Sequence, residues 1–233
     1  MSETNRTGIV IQAGLGTGAE YLYLTKPDWK KYYDHKGIRS IPESVARLYD
    51  EWMFYGIDCD ATSITHMCDK YGKHRLNKFK WILAFLTGDL DHDHPFCERL
   101  CEVNTWSRKS NDDNLPYKHL VTAISLDDLL DNLSLPQLDI LALDIEGAEV
   151  PLIETFSWRM KPLFINVEVH TYPEHYSKKE VLTANIEKIK GIIESQEYDM
   201  IFNKDTNFRN DIHYTHEMHF LHQSLSDSHK AAV

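Results

Sequence analysis

Cysteine is scarce in this chain: there are four in 233 residues, at positions 59, 68, 97 and 101, and none forms a C-x-x-C pair. That excludes a disulfide framework as the basis of the fold and makes a reducing cytoplasm the simpler setting. Long apolar runs are missing too. No stretch approaches the roughly 18 to 20 uninterrupted apolar residues a spanning helix requires, so no membrane span is expected. Residues 1–7 are polar where a signal peptide would be basic and then apolar, which points away from secretion. Positive charge is the third shortage. Lys and Arg number 25 against 36 Asp and Glu, a net charge of -11 with His neutral. This balance works against a phosphate backbone, so nucleic acid is disfavoured as a partner and a small neutral or cationic ligand fits better.

What is present is a globular composition, 42% hydrophobic and 26% charged, long enough for a sizeable core. At roughly 150 residues per domain, one domain with insertions is the default. Its expected limits are 1–223, with insertions at about 26–40 and 87–117 and a polar tail over 224–233.

Strand-length apolar runs alternate with helical patterns. Strands are expected at 8–12, 53–58, 139–144 and 163–169, and another with both faces buried at 80–86. Helices are expected from Ala19, over 42–52 and 62–70, from an N-cap at Ser125 to Asn132, and over 148–156. The clearest helix carries Leu182, Ile186, Ile189 and Ile193 at spacings of four, three and four. Phe96, Leu100 and Val103 predict a further helix inside the 87–117 connection, which would put Cys97 and Cys101 on one core-facing side. The rest of that connection, 104–115, is polar and expected to be mobile. Runs at 198–202 and 217–221 predict a terminal antiparallel hairpin. The sum is an open α/β sheet, mostly parallel, with an antiparallel edge strand.

In such a sheet ligands bind beyond the carboxyl ends of the strands, where strand order reverses. The first strand ends in Gln12-Ala13-Gly14-Leu15-Gly16-Thr17-Gly18. Its glycines admit unusual backbone angles and close approach of a ligand. The spacing is not that of dinucleotide binders, and no Gly-Lys-Ser/Thr follows to hold phosphates, so a nucleoside without phosphates is expected. Asp58 ends the second strand, where a carboxylate can accept both ribose hydroxyls, and Asp60 is placed to cap the next helix. Asp144, Glu146, Glu149, Glu168 and His170 lie at the ends of two later strands, with Glu168 and His170 on one face by period two. Such a set could bind a metal, orient a histidine as general base, or offer negative charge to a cation.

Three runs carry a resemblance: Ser125-Leu126-Asp127-Asp128-Leu129-Leu130; then Leu138 to Glu149 with Asp144-Ile145-Glu146-Gly147-Ala148-Glu149; then Val167-Glu168-Val169-His170. The sequence resembles the FkbM-type S-adenosylmethionine-dependent methyltransferases, sharply over about 120–170 and only in topology elsewhere. The resemblance implies a Rossmann-like class I methyltransferase fold, a seven-stranded sheet with helices on both faces. It implies that Gly14, Gly16 and Gly18 form the cofactor turn and that Asp58 binds the ribose. Gln12 stands where such enzymes usually carry an acid; its amide can still hydrogen-bond the methionine end of S-adenosylmethionine, but it brings no charge.

The mechanism expected is O-methylation of a hydroxyl on a sugar, lipid or small metabolite. His170 is the expected general base, Glu168 or Glu146 orients it, and Asp144 favours the cationic cofactor. A divalent metal held by Asp144, Glu168 and His170 is chemically admissible but not favoured. His213, His216, His219 and His222 recur every third residue, which in a strand sends alternate members to opposite faces. Asp91-His92-Asp93-His94 reads as an exposed acidic loop. The alternatives kept open are an RNA ribose 2'-O-methyltransferase, to which the basic residues Lys26, Lys30, Lys31, Lys36 and Arg39 would contribute, and a non-catalytic module retaining the fold, which Gln12 would suit. Acceptor identity and oligomeric state are left open.

Overall fold

The computed structural model describes residues 6–15, 20–26, 41–71, 78–88, 100–105, 117–170, 179–208 and 213–225. Seven strands form the main sheet in the order β3-β2-β1-β7-β8-β10-β9. They are β1 (Thr7–Ala13), β2 (Glu51–Asp58), β3 (Phe79–Leu83), β7 (Ile140–Leu143), β8 (Phe164–Val169), β9 (Tyr198–Phe208) and β10 (His213–His222). β1, β2, β3, β7 and β8 run parallel, and β10 runs antiparallel to both β8 and β9. This is the Rossmann-like class I methyltransferase arrangement, with its reversed strand towards one edge.

β1 and β7 show why the centre of the sheet reads as continuous apolar sequence. Every residue of β7 is buried, and so is all of β1 after Thr7, as both faces of a central parallel strand must be. Alternation then divides the core. Ile9, Ile11, Leu141, Leu143, Ile165 and Val167 face one side, where Leu126 and Leu129 of α3 (Leu126–Leu133), Leu152 of α4 (Glu149–Thr155) and Ile189 of α5 (Lys179–Glu194) cover them. Val10, Phe54, Ile140 and Phe164 face the other side, under Tyr21 and Leu24 of a 3-10 segment (Glu20–Thr25), Val45 of α1 (Glu43–Ala46) and Met67 of α2 (Ala61–Tyr71). The helical spacing seen in the sequence does its work in α5, where Leu182, Ile189 and Ile193 are buried; each such side chain contributes about 1.5–3 kcal/mol. Ser125 caps α3 as expected, its Oγ accepting from the amide of Asp128 at 3.0 Å.

Several expectations are corrected. The 42–52 helix is a four-residue α1, and the chain is already extended at Glu51. Trp52, Phe54 and Tyr55 suit a pleated surface, and pairing of Trp52 with Gly8 decides the matter: a Cβ on Gly8 would meet the Trp52 ring at 2.5 Å. The 80–86 strand is two strands, not one buried on both faces. β3 lies at the sheet edge with Leu83 45% exposed, Ala84 donates its amide to the Asp58 carbonyl at 3.0 Å, and β4 (Phe85–Leu86) joins a different sheet. That second sheet, β4-β6-β5, was not expected. It draws in β5 (Leu100–Thr105), antiparallel to β6 (Tyr117–Ile124), so Leu100, Cys101 and Val103 are strand residues rather than one helical stripe. The pairing that recruits β5 is non-local, and no window around Val103 contains it. Phe96, Cys97, the 91–94 run, most of 26–40, most of the polar 104–115 stretch and the tail beyond Leu225 lie outside the described residues.

Candidate active site

Strand order reverses between β1 and β7, since β1 leads outward to β2 on one side while β7 leads to β8 on the other. The carboxyl ends of these strands hold the candidate residues. Gly14 follows β1 with φ 83°, and a Cβ there would lie 1.6 Å from the Asp144 carbonyl oxygen. Only glycine fits, for both conformation and space. The Gly14 amide donates to the Ile57 carbonyl at 2.9 Å and the Asp144 amide to the Ala13 carbonyl at 2.9 Å, so three strand ends are laced together. Gly16 and Gly18 lie outside the described residues.

Asp58 is 9% exposed at the end of β2. Its Oδ2 accepts from the Leu15 amide at 2.9 Å and its Oδ1 from the Asp60 amide at 2.7 Å. It pins the glycine turn to β2, and a carboxylate has about four lone-pair positions, so a ribose hydroxyl can share the same oxygens. Asp60 takes the capping role, its Oδ1 accepting from the Thr62 amide at 2.8 Å. Gln12 is buried and its Oε1 accepts from the Tyr21 amide at 3.5 Å; the Tyr21 hydroxyl in turn accepts from Asn166 Nδ2 at 2.7 Å. Tyr21 and Asn166 had no signal in the sequence, because no spacing relates residues 145 positions apart.

Asp144, Glu146, Glu168 and His170 come together as the strand ends predict. The His170 ring is 3% exposed. Its Nε2 lies 3.7 Å from Asp144 Oδ1 and 3.9 Å from both Glu146 Oε2 and Glu168 Oε1. Its Nδ1 lies 3.2 Å from Glu149 Oε1 and 3.1 Å from the Glu168 carbonyl. Both partners are acceptors, so Nδ1 carries a proton and donates it. Burial disfavours a charged ring, but the hydrogen bond and charge of Glu149, with Glu146 and Asp144, outweigh it and push His170 up to about 10. The ring is then an imidazolium at neutral pH. Raised in this way, the ring favours the form that holds a proton rather than takes one.

Asp144 is shifted in the same direction. Desolvation by the surrounding protein raises its carboxyl to about 8, with Glu168, Glu146 and Glu149 adding to the rise and His170 opposing it. Half of its side-chain surface is open to solvent, which tempers the rise. Asp144, Glu146 and His170 offer ligand atoms within 4.8 Å of one another.

The turn joining Asp144 to α4 takes its shape from left-handed residues, Glu146 at φ 54° and Gly147 at φ 107°. Glu149, which the sequence placed among the acids at these strand ends without a role of its own, is completely buried. Three histidines of β10 make separate contacts: His216 with Asp205 and Asn203, His219 with Glu217 at 2.8 Å, His222 with Ser224 at 2.9 Å.

Residues 80–200 match the family model described as the methyltransferase FkbM domain. No curated protein matches the chain in sequence. Among solved structures, a fibrillarin pre-rRNA processing protein of Methanococcus jannaschii is 10% identical with a TM-score of 0.46, covering 94% of this chain and 68% of that one. An rRNA methylase from Streptococcus thermophilus is 9% identical with a TM-score of 0.45, covering 94% and 88%. TrmK of M. capricolum, solved with S-adenosyl-homocysteine, is 10% identical with a TM-score of 0.40, covering 94% of this chain but only 64% of its own, so this chain spans less than two thirds of its length. Likenesses at this level carry no argument about the acceptor. They do withdraw one exclusion: RNA-processing and RNA-methylating proteins align over nearly the whole chain, so a net charge of -11 no longer sets nucleic acid aside.

Proposed function

On the premise that this chain belongs to the FkbM methyltransferase family, which the match over 80–200 shows, we propose that it methylates a hydroxyl at the carboxyl ends of β1, β2, β7 and β8. It is an S-adenosylmethionine-dependent enzyme. The observation that carries the reading is the convergence of Gly14, Asp58 and Asp144 at the point where strand order reverses. The donor set fits the cofactor. Gly14 keeps the strand end clear of side chain, Asp58 offers acceptors to ribose hydroxyls, Gln12 offers an amide, and Asp144 with Glu146 and Glu168 makes an acidic end that suits a sulfonium. Gly16 and Gly18 would complete the turn. We read 1–223 as one methyltransferase domain working in a reducing cytoplasm, the setting that four cysteines without a C-x-x-C pair suit best.

When bound, the cofactor supplies a methyl group already activated by its positive sulfur, so the protein's task is to align the acceptor and receive its proton. Asp144 receives it in its ionised form: the carboxyl is half open to solvent, and its rise to about 8 makes it a stronger base whose ionised share grows as pH rises towards that value. His170 holds its own proton and draws the Asp144, Glu146 and Glu168 carboxylates together. Two acceptor sources share this hydroxyl chemistry: the ribose of RNA, supported by the names of the RNA methylases that share the fold, and a metabolite, lipid or sugar. Incubation with S-adenosylmethionine labelled in its methyl group, alongside total RNA and a small-molecule and lipid extract in separate reactions, tests the reading. Label in RNA establishes the first source and label in the extract the second. Donor binding without transfer to either overturns the hydroxyl assignment.

A further inference from the structure

Glu149 lies beneath the site, fully buried, at the first residue of α4. A buried carboxylate is costly unless its oxygens are satisfied, and these are. Oε1 accepts from the Ile145 amide at 3.0 Å and from His170 Nδ1 at 3.2 Å, while Oε2 accepts from the Gly147 amide at 3.0 Å. Those amides belong to the turn that follows β7, where Glu146 holds a left-handed conformation that is costly for a residue with a side chain and that the surrounding contacts must maintain. His170 begins just past β8, and its carbonyl accepts from Asn185 Nδ2 of α5 at 3.1 Å. One side chain therefore joins the ends of β7 and β8, which bring the Asp144, Glu146 and Glu168 carboxyl groups to the same ring nitrogen, Nε2.

We infer that Glu149 is a positioning residue for methyl transfer, acting through His170. It fixes Nδ1, turns Nε2 onto Asp144, Glu146 and Glu168, and holds the 145–147 turn so that Asp144 meets the acceptor. The inference rests on the methyltransferase reading, but its geometry can be tested apart from catalysis. Glu149→Gln keeps the size and one oxygen, and loses the charge and one of the two acceptors. Its kcat is expected to fall on the order of 100-fold, the usual cost of a displacement near 1 Å, with the KM for S-adenosylmethionine unchanged. His170→Asn is expected to fall similarly, and the double variant no further than either single one.

The orientation has its own readout in nitrogen-15 histidine spectra of the wild type. His170 is expected to show a downfield, slowly exchanging Nδ1 proton that disappears in Glu149→Gln. Additive losses in the double variant, or a wild-type spectrum without that proton, overturn the inference. The wild-type spectrum decides the orientation even if Glu149→Gln does not fold. A wild type that transfers no methyl group removes the functional reading and the catalytic part with it, whereas the spectrum still reports whether Glu149 holds the ring.

Discussion

Two aspartates bound the central strand β7, Asp139 immediately before it and Asp144 immediately after, and they live under opposite conditions. Asp139 is 3% exposed and meets donors: the Ile9 amide at 2.6 Å, Gln137 Nε2 at 2.8 Å and the Tyr49 hydroxyl. Burial raises its carboxyl while those three hydrogen bonds pull it back. Asp144 is half open and faces other carboxylates, with one imidazolium among them. The same side chain at two ends of four residues is thus satisfied at the amino end and crowded by like charge at the carboxyl end. Satisfied polar groups hold a fold together, and like charges kept close are maintained for chemistry. The functional end of the sheet is therefore visible in its electrostatics, without reference to any bound molecule.

Exchanging the two aspartates' roles is the hardest test of that contrast. Asp144→Asn is expected to lower kcat about 10²- to 10⁴-fold, the range of a lost general base, while thermal unfolding changes little. Asp139→Ala is expected to do the reverse, costing about 3 kcal/mol of stability because a buried amide and a hydroxyl lose their acceptor, while activity per folded molecule stays near wild type. Denaturant unfolding and labelled-methyl transfer measured on both variants check the pair; a catalytic loss at Asp139 or a large stability loss at Asp144 would break it.

Dependence on pH sharpens the same contrast. His170 keeps its proton in the folded state to about 10, whereas in the unfolded chain it releases it near 6.5. Between those values the native state binds more protons, so stability is fully present below 6.5 and is lost as pH rises towards 10. The raised carboxyl of Asp144 acts in the same direction at lower pH, because the native state keeps a proton that the unfolded chain gives up above about 4. Thermal midpoints are expected to fall from pH 6.5 to 10, and His170→Asn to flatten that slope. Identical slopes in the two proteins would show that the ring is not held as an imidazolium. The smallest effect is at the quiet end: Tyr49→Phe removes one of three donors to Asp139 and is expected to cost about 1 kcal/mol with no change in turnover.

How much of this was legible in the sequence follows from the range of the interactions. β1, β7 and β8 are encoded locally by apolar runs ended by glycine or acid, and α3 and α5 by a capping serine and by three-and-four spacing. The placement of Gly14, Asp58, Asp144, Glu146, Glu168 and His170 at one end of the sheet was legible because strand ends in a parallel sheet converge by topology. What failed depends on distant partners. β5 exists through its pairing with β6, and Trp52 is drawn into β2 by Gly8. The upward shift of His170 was not legible because a free histidine titrates near neutrality, and only the folded chain places four carboxyl groups around it. Glu149 had a local sign, an acid two residues after a glycine at the start of a helix, but its partner lies 21 residues on.

The central claim is that the carboxyl ends of these strands hold the methyl donor. Its most direct test is calorimetric titration of S-adenosylmethionine into the wild type and Asp58→Asn. One site per chain is expected in the wild type, weakened about tenfold or more when the charged acceptor is lost. No binding to the wild type, or equal affinity in both proteins, would contradict the account.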